Sequence, residues 1–262
     1  MILGLSHVAL STQDVERASM RLAEFGYELR FDEPALENHS AKARLLAHHQ
    51  PLHHIRSLSA TGVMAIELLD HGPMKGRQAA ALIPVFRCSA PLVGWQECDE
   101  KALPMGDEAW GILEKALGQR PHVIFDPQLQ LTFLWIASEC EPGLWACAMP
   151  YEDSDAIEAL LTALRFRVNP ATGMWSLLTP LPALQARILP VPYRDHPDWQ
   201  ARALLDAPGC PCLALMARGE STLLSDVLRG ETVTFNLTVN AKPCKITMLR
   251  PEQGPVAELV EQ

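Results

Sequence analysis

The chain has 262 residues, 48% of them hydrophobic and 20% charged, with a formal net charge of −9. This composition fits a folded globular protein and excludes a disordered, fibrous or collagen-like chain. An acidic balance without a Lys/Arg cluster argues against nucleic acid and anionic membrane surfaces, whose binding needs a basic patch that releases counterions, and leaves small molecules as the expected partners.

No apolar run reaches the roughly 20 residues of a transmembrane helix, and the N-terminus lacks the basic region and long apolar core of a signal peptide. A cytoplasmic protein is therefore expected. The seven cysteines are scattered and odd in number, which suits reduced, mostly buried thiols better than a disulfide framework. The close pair Cys210 and Cys212 reads as two thiols leading into a buried strand, a weak metal signal.

In chain order, "GLSHVAL" (4–10) reads as an apolar strand interrupted by His7. Ser11 and Asp14 have capping-box spacing, and Val15, Ala18, Leu22 and Phe25 then share one helical face that stops at Gly26. A β-rich run, Tyr27 to Phe31, leads to a hairpin around "AHHQPLHHIRS" with Gln50 and Pro51 at its turn, followed by the strand "GVMAIELLD". The unit is β-α-β-β-β. The middle of the chain has strands in "ALIPVFRCSAP" and "PHVIFDPQLQLTFLWIAS" around a helix near residues 109–117, a degenerate copy of that unit.

Self-comparison shows the repeat directly. A shift of 139 residues lays residues 4–31 on residues 143–170 without a gap, so that Gly4, Leu5, Ala9, Asp14 and Leu22 meet Gly143, Leu144, Ala148, Asp153 and Leu161. In this third unit Ile157, Leu160, Leu161 and Leu164 supply the helix face, and Phe166 to Val168 the next strand. The proline-rich stretch at 179–199 marks irregular crossings between strands. A fourth unit begins with strand, turn and short helix in "CLALMARGESTLLSDVLRGE" and closes with the strands "VTFNLTV", "PCKITMLRP" and "VAELVEQ".

The opening "LSHVALSTQDVERA", the "VMAIELLD" strand about 60 residues on and the closing "RPEQGPVAELVE" together resemble the vicinal oxygen chelate superfamily, which includes glyoxalase I, bleomycin-resistance proteins and the extradiol dioxygenases. The resemblance is good over residues 1–70, moderate over 143–170 and 212–262, and poor in the middle. It implies an α+β fold in which tandem βαβββ modules form two incomplete, cupped β-barrels. The expected division is 1–140 and 141–262, each a domain of two modules, the second module being degenerate. Pairing of the first module with the last is the alternative.

In that family, metal ligands come from the first and last strands of a module, and a divalent ion chelates two neighbouring substrate oxygens. The resemblance places His7 at the first-strand position, and Glu67 and Glu258 at the last-strand positions. It thus implies His7, Glu67 and Glu258 as metal ligands for Fe(II), Mn(II), Ni(II) or Zn(II), the two glutamates also as catalytic groups, and Cys212 as a weaker fourth ligand. Ala146 replaces the histidine in the third module, and Pro84 stands at the ligand position of the second. The three main candidates share one metal only if the first and last modules pair. A histidine in a strand is also commonly a buried group bonded to a neighbouring carbonyl.

Among the other candidates, adjacent histidines on a strand point to opposite faces, so "HHQPLHH" (His48, His49, His53, His54) cannot make a compact four-histidine site. A hairpin could still set one of His48 or His49 beside one of His53 or His54. Trp135, Trp145, Trp175 and Trp199 are candidates for an apolar pocket, with core packing as the plainer reading. Arg165, Arg167 and Arg187 are candidates for a substrate carboxylate, with solvated surface as theirs.

Two functions remain open at this point. One is a metal-dependent lyase, isomerase or dioxygenase acting on a small organic substrate. The other is a metal-free protein of the bleomycin-resistance type that binds a drug or metabolite. A homodimer is compatible with either.

Overall fold

The computed structural model describes residues 1–74, 77–79, 81–179, 184–200, 203–219 and 230–261. The first unit forms as its pattern requires, with β1 (Ile2–Ser11), α1 (Val15–Ala23), β2 (Glu28–Glu37), β3 (Leu52–Ser59) and β4 (Ile66–Asp70). Asp14 caps α1 by accepting the Arg17 N–H at 2.9 Å. Ser11 takes no part in a capping box, because it still belongs to β1 and its Oγ donates to the Leu205 carbonyl. Nor is there a tight turn at Gln50–Pro51. The β2–β3 connection runs through a short 3-10 helix (Ser40–Leu45) that carries Lys42.

The second unit follows a short β5 (Gln78–Ala79) and contains β6 (Ile83–Cys88), β7 (Gln96–Cys98), α2 (Asp107–Leu117), β8 (His122–Asp126) and β9 (Leu131–Ala137). Here the helix follows the second strand instead of the first, which is why the sequence pattern looked degenerate. The third unit is regular, with β10 (Gly143–Tyr151), α3 (Ser154–Ala163), β11 (Arg167–Val168), β12 (Trp175–Leu177) and β13 (Ala186–Pro192). Asp153 caps α3 as its repeat partner Asp14 caps α1. The shared glycine also has a local cause, since a Cβ on Gly143 would stand 2.9 Å from Val63 Cγ2 and 3.1 Å from the Tyr27 ring.

After β14 (Trp199–Gln200), the fourth unit contributes β15 (Gly209–Ala217), β16 (Gly230–Val239), β17 (Lys242–Pro251) and β18 (Val256–Glu261). The short helix expected in "ESTLLSDVLRG" lies almost wholly outside the described residues.

Two sheets result. One runs β16-β17-β18-β15-β1-β4-β3-β2, with β5 and β14 at its side, and the other runs β11-β12-β13-β10-β6-β9-β8-β7. The first and fourth units therefore share a sheet, and so do the second and third. The sheets do not follow the expected division at 140/141, because β9 and β10 on either side of it lie in one sheet with β6 between them. The cause is edge pairing. β1 and β15 are both long, mostly apolar strands buried on both faces, and they satisfy one another as antiparallel neighbours, as β6 and β10 do. The largest apolar cluster joins the two halves, bringing Leu5, Val8 and Phe25 together with Phe86, Phe133 and Leu144. Tyr27 pins this junction by donating to the Met64 carbonyl at 2.8 Å and accepting the Leu144 N–H at 3.1 Å. Among the described residues no helix is long and apolar enough to cross a membrane.

On the outer side of the first sheet, Arg56 of β3 clamps Asp32 of β2 and Glu16 of α1. The Arg56 hydrogen bonds hold the Asp32 carboxyl down at about 2, below the ordinary carboxylate range, with His54 adding to the effect. A depressed folded pKa stabilises fully above the unfolded value of about 3.9 and loses that stabilisation as pH falls towards 2. The urea midpoint of the wild type is accordingly expected to drop between about pH 4 and pH 2, and that of Asp32→Asn to start lower and drop less over the same interval. Parallel slopes for the two proteins would count against the clamp.

Candidate functional site

Side chains alternate along a strand, so the register decides what meets inside the cup of the first sheet. Ala9 of β1 lies beside Glu67 of β4, and Ala214 of β15 lies beside Glu258 of β18. His7 stands two residues before Ala9, and Cys212 two before Ala214, so Cys212 is the symmetric counterpart of His7. Across the β1–β15 seam His7 faces Ala214 and Ala9 faces Cys212. The pairing of first and last units thus brings His7, Glu67, Glu258 and Cys212 into one cavity of about 1110 Å³.

All four are buried. His7 Nε2 lies 3.3 Å from Glu67 Oε1, yet among the described residues it has no hydrogen-bond partner. On the other side of the ring, Ser6 Oγ is 3.2 Å from His7 Nδ1. The tautomer that donates Nδ1–H to Ser6 leaves the Nε2 lone pair directed into the site, an outer hydrogen bond of the kind that orients metal-binding histidines. Burial lowers the His7 pKa against the pull of Glu258, which favours the neutral ring. Burial likewise pushes the Glu67 carboxyl up to about 7, with Lys42 pulling it down, and raises Glu258, to which the neighbouring Glu67 charge adds. The Cys212 thiol, held well above its ordinary range mainly by burial, donates to Glu258 Oε2 at 3.8 Å.

The donor set can be tested for a metal from these positions. Among the described residues, no three His, Cys, Asp or Glu side chains stand in an arrangement that grips an ion without adjustment. The chemistry nevertheless fits. One imidazole nitrogen and two carboxylates suit a divalent ion with positions left open, and ligand atoms about 2.0–2.2 Å from a common ion lie roughly 3 Å apart, as His7 Nε2 and Glu67 Oε1 nearly do. An orphaned buried nitrogen and two buried carboxyl groups are otherwise costly to leave as they are.

No protein-family model and no curated protein sequence matches the chain. Solved structures do. Glyoxalase I from Zea mays superposes with a TM-score of 0.58 at 13% identity, covering 98% of this chain and 92% of that one. A protein from Bacillus subtilis assigned as a dioxygenase gives 0.53 at 11% identity, covering 99% and 85%. This chain has the vicinal oxygen chelate fold. At these identities the likeness concerns the fold, and the site rests on the residues of this chain.

In a vicinal oxygen chelate fold with two cups, the second is a candidate as well, and here it is filled. The residues that correspond by register to His7, Cys212, Glu67 and Glu258 are Ala146, Ile83, Leu189 and Leu134, all fully buried and apolar. They pack with Ala109, Trp110 and Leu113 of α2, the helix displaced in the second unit. Pro84 faces the other side, so Ile83 holds the position at which the sequence suggested Pro84.

The remaining candidates disperse. Trp135, Trp145, Trp175, Trp199, Arg165, Arg167 and Arg187 do not line the cavity. Trp175 and Trp199 are core, and the Arg187 guanidinium lies over the Trp145 ring at 5.4 Å. His48 and His49 lie in the loop before β3, not on a strand, and no ring contact joins them to His53 or His54 among the described residues. His54 points outward to Asp32 at 2.6 Å, whereas His53 points into the cavity and stacks on His71 with centroids 4.9 Å apart. Sequence reasoning missed His71, which follows directly on β4, and Lys42, a lone lysine in the mostly small and apolar "SAKARLLA".

Proposed function

We propose that this protein is a metal-dependent enzyme of the glyoxalase or dioxygenase type, a lyase, isomerase or dioxygenase, acting on a small organic substrate, with His7, Glu67 and Glu258 holding a divalent ion. The observation that carries this reading is the Nε2 of buried His7, without a hydrogen-bond partner among the described residues and 3.3 Å from Glu67 Oε1, in the cavity that Glu258 also lines. Fe(II), Mn(II), Ni(II) or Zn(II) suits that donor set, and when bound such an ion supplies a Lewis acid to two neighbouring oxygens of the substrate.

The chain's own residues do the rest. Ser6 Oγ, 3.2 Å from Nδ1, orients the His7 ring. Burial pushes the Glu67 carboxyl up to about 7 in the metal-free cavity, and beside a bound ion a glutamate at this position would serve as the acid–base group. Glu258 supplies the second buried carboxylate.

A metal-free binding protein is the second reading, favoured by Lys42, whose buried ammonium lies near enough to Glu67 and Glu258 to offset part of their charge. Elemental analysis of purified protein and calorimetric titration of metal-stripped protein separate the two. About one equivalent of ion per chain is expected, and no uptake of any of the four ions favours the second reading.

A further inference from the structure

Lys42 is the least explained charge in the cavity. It is 6% exposed and lines the same space as His7, Glu67 and Glu258. Among the described residues no carboxylate lies within ion-pair distance of its Nζ, which stands 5.6 Å from the centre of the Phe235 ring. His53 and His71 line the cavity too, 4% and 6% exposed. Among the described residues His53 Nδ1 and both nitrogens of His71 have no hydrogen-bond partner. Burial and the charge of Lys42 hold both rings neutral, His53 at about 2 and His71 at about 4. A buried ammonium without an ion-pair partner and orphaned imidazole nitrogens are each costly, and together they mark a place where polar ligand atoms belong.

Charge counting says which kind of ligand, and this step rests on the metal reading above. A divalent ion would offset the two buried carboxylates, Glu67 and Glu258, and Lys42 is then the one buried cationic side chain on the lining without a carboxylate beside it among the described residues, since Glu28, Arg30 and Lys242 stand at the exposed rim. We infer that Lys42, with His53 and His71, is the anion-recognition locus of this cavity. The ligand is then an organic acid that offers two neighbouring oxygens to the ion that His7, Glu67 and Glu258 would hold, and a separate acidic group to Lys42. Without the ion the two buried carboxyl groups are the partners that offset Lys42, and the cavity has no reason to prefer an acid.

The test uses a matched pair of probes on Zn(II)-loaded protein, with metal content measured first. 3,4-Dihydroxybenzoate and 3,4-dihydroxybenzamide present the same two vicinal oxygens and differ in the charge of the distal group. Calorimetry is expected to show the acid binding about 10-fold or more tightly than the amide, the scale of one charge-assisted hydrogen bond. Lys42→Met is expected to remove that preference by weakening the acid alone, Lys42→Arg to keep most of it, and metal-stripped wild type to lack it. Equal affinities in metal-loaded wild type, or no binding of either probe, overturn the anion locus while leaving the metal site standing. Failure to take up metal at the first step overturns the metal reading and this one with it.

Discussion

His7→Ala is expected to abolish stoichiometric divalent-metal binding, weakening affinity by more than the roughly 100-fold that outer-shell losses cost, because it removes one of three ligands outright. The same substitution should leave the metal-free fold nearly as stable as before. Among the described residues His7 Nε2 has no hydrogen-bond partner to lose, and the ring's one hydrogen bond is with the hydroxyl of adjacent Ser6. A purely structural histidine makes the opposite forecast, with unchanged metal content and a lowered melting temperature. Cys212→Ser serves as the control. Its thiol is protonated and bonded to Glu258, so metal uptake should persist without it. Elemental analysis and thermal melts on the two variants give both readouts, and metal retained by His7→Ala sinks the assignment.

What the sequence discloses and what it conceals have physical causes here. The repeat between residues 4–31 and 143–170 is legible because each copy must build the same strand, capped helix and close glycine approach, and Asp14, Asp153 and Gly143 each do that work. His7, Glu67 and Glu258 stand out because the strand-to-helix scaffold has no use for them. Which edges meet is not legible, since each module presents an equivalent β edge and similarity between modules carries no information on their pairing. That pairing decides whether the three candidates share a cavity. Lys42 and His71 are hidden for another reason. They enter the cavity from a loop helix and from the residue just past a strand end, where no periodicity points to a face. The tryptophans mislead because large apolar rings are needed equally by a core and by a pocket, and only the fold distinguishes them.

Asp126→Ala is expected to cost about 3–5 kcal/mol of folding stability, the scale for removing one partner of a buried ion pair. Asp126 is fully buried at the end of β8, and Arg21 of α1 is 1% exposed. Its Oδ2 accepts from Arg21 Nε at 2.6 Å and Trp95 Nε1 at 2.8 Å, while Oδ1 accepts the backbone N–H groups of Gln128 and Leu129. The alanine variant takes from the Arg21 guanidinium its buried partner, leaving half-exposed Glu24, and strands an indole N–H and a turn at once. Arg21 also donates to Glu24 and to the Val93 carbonyl, so the pair latches the helix of the first unit onto the strands of the second. Replacing both partners by apolar residues of similar volume should recover much of the loss, since the desolvation penalty then disappears from both sides. Urea denaturation of the two single variants and the double variant measures this coupling. The metal affinity of the folded protein should not change, because Val15, Ala18 and Leu22 seat α1 in the apolar cluster that joins the two sheets, while His7 lines the cavity of the first. A latch variant that lost metal while still folded would mean that the junction between the sheets helps to hold the cup in shape.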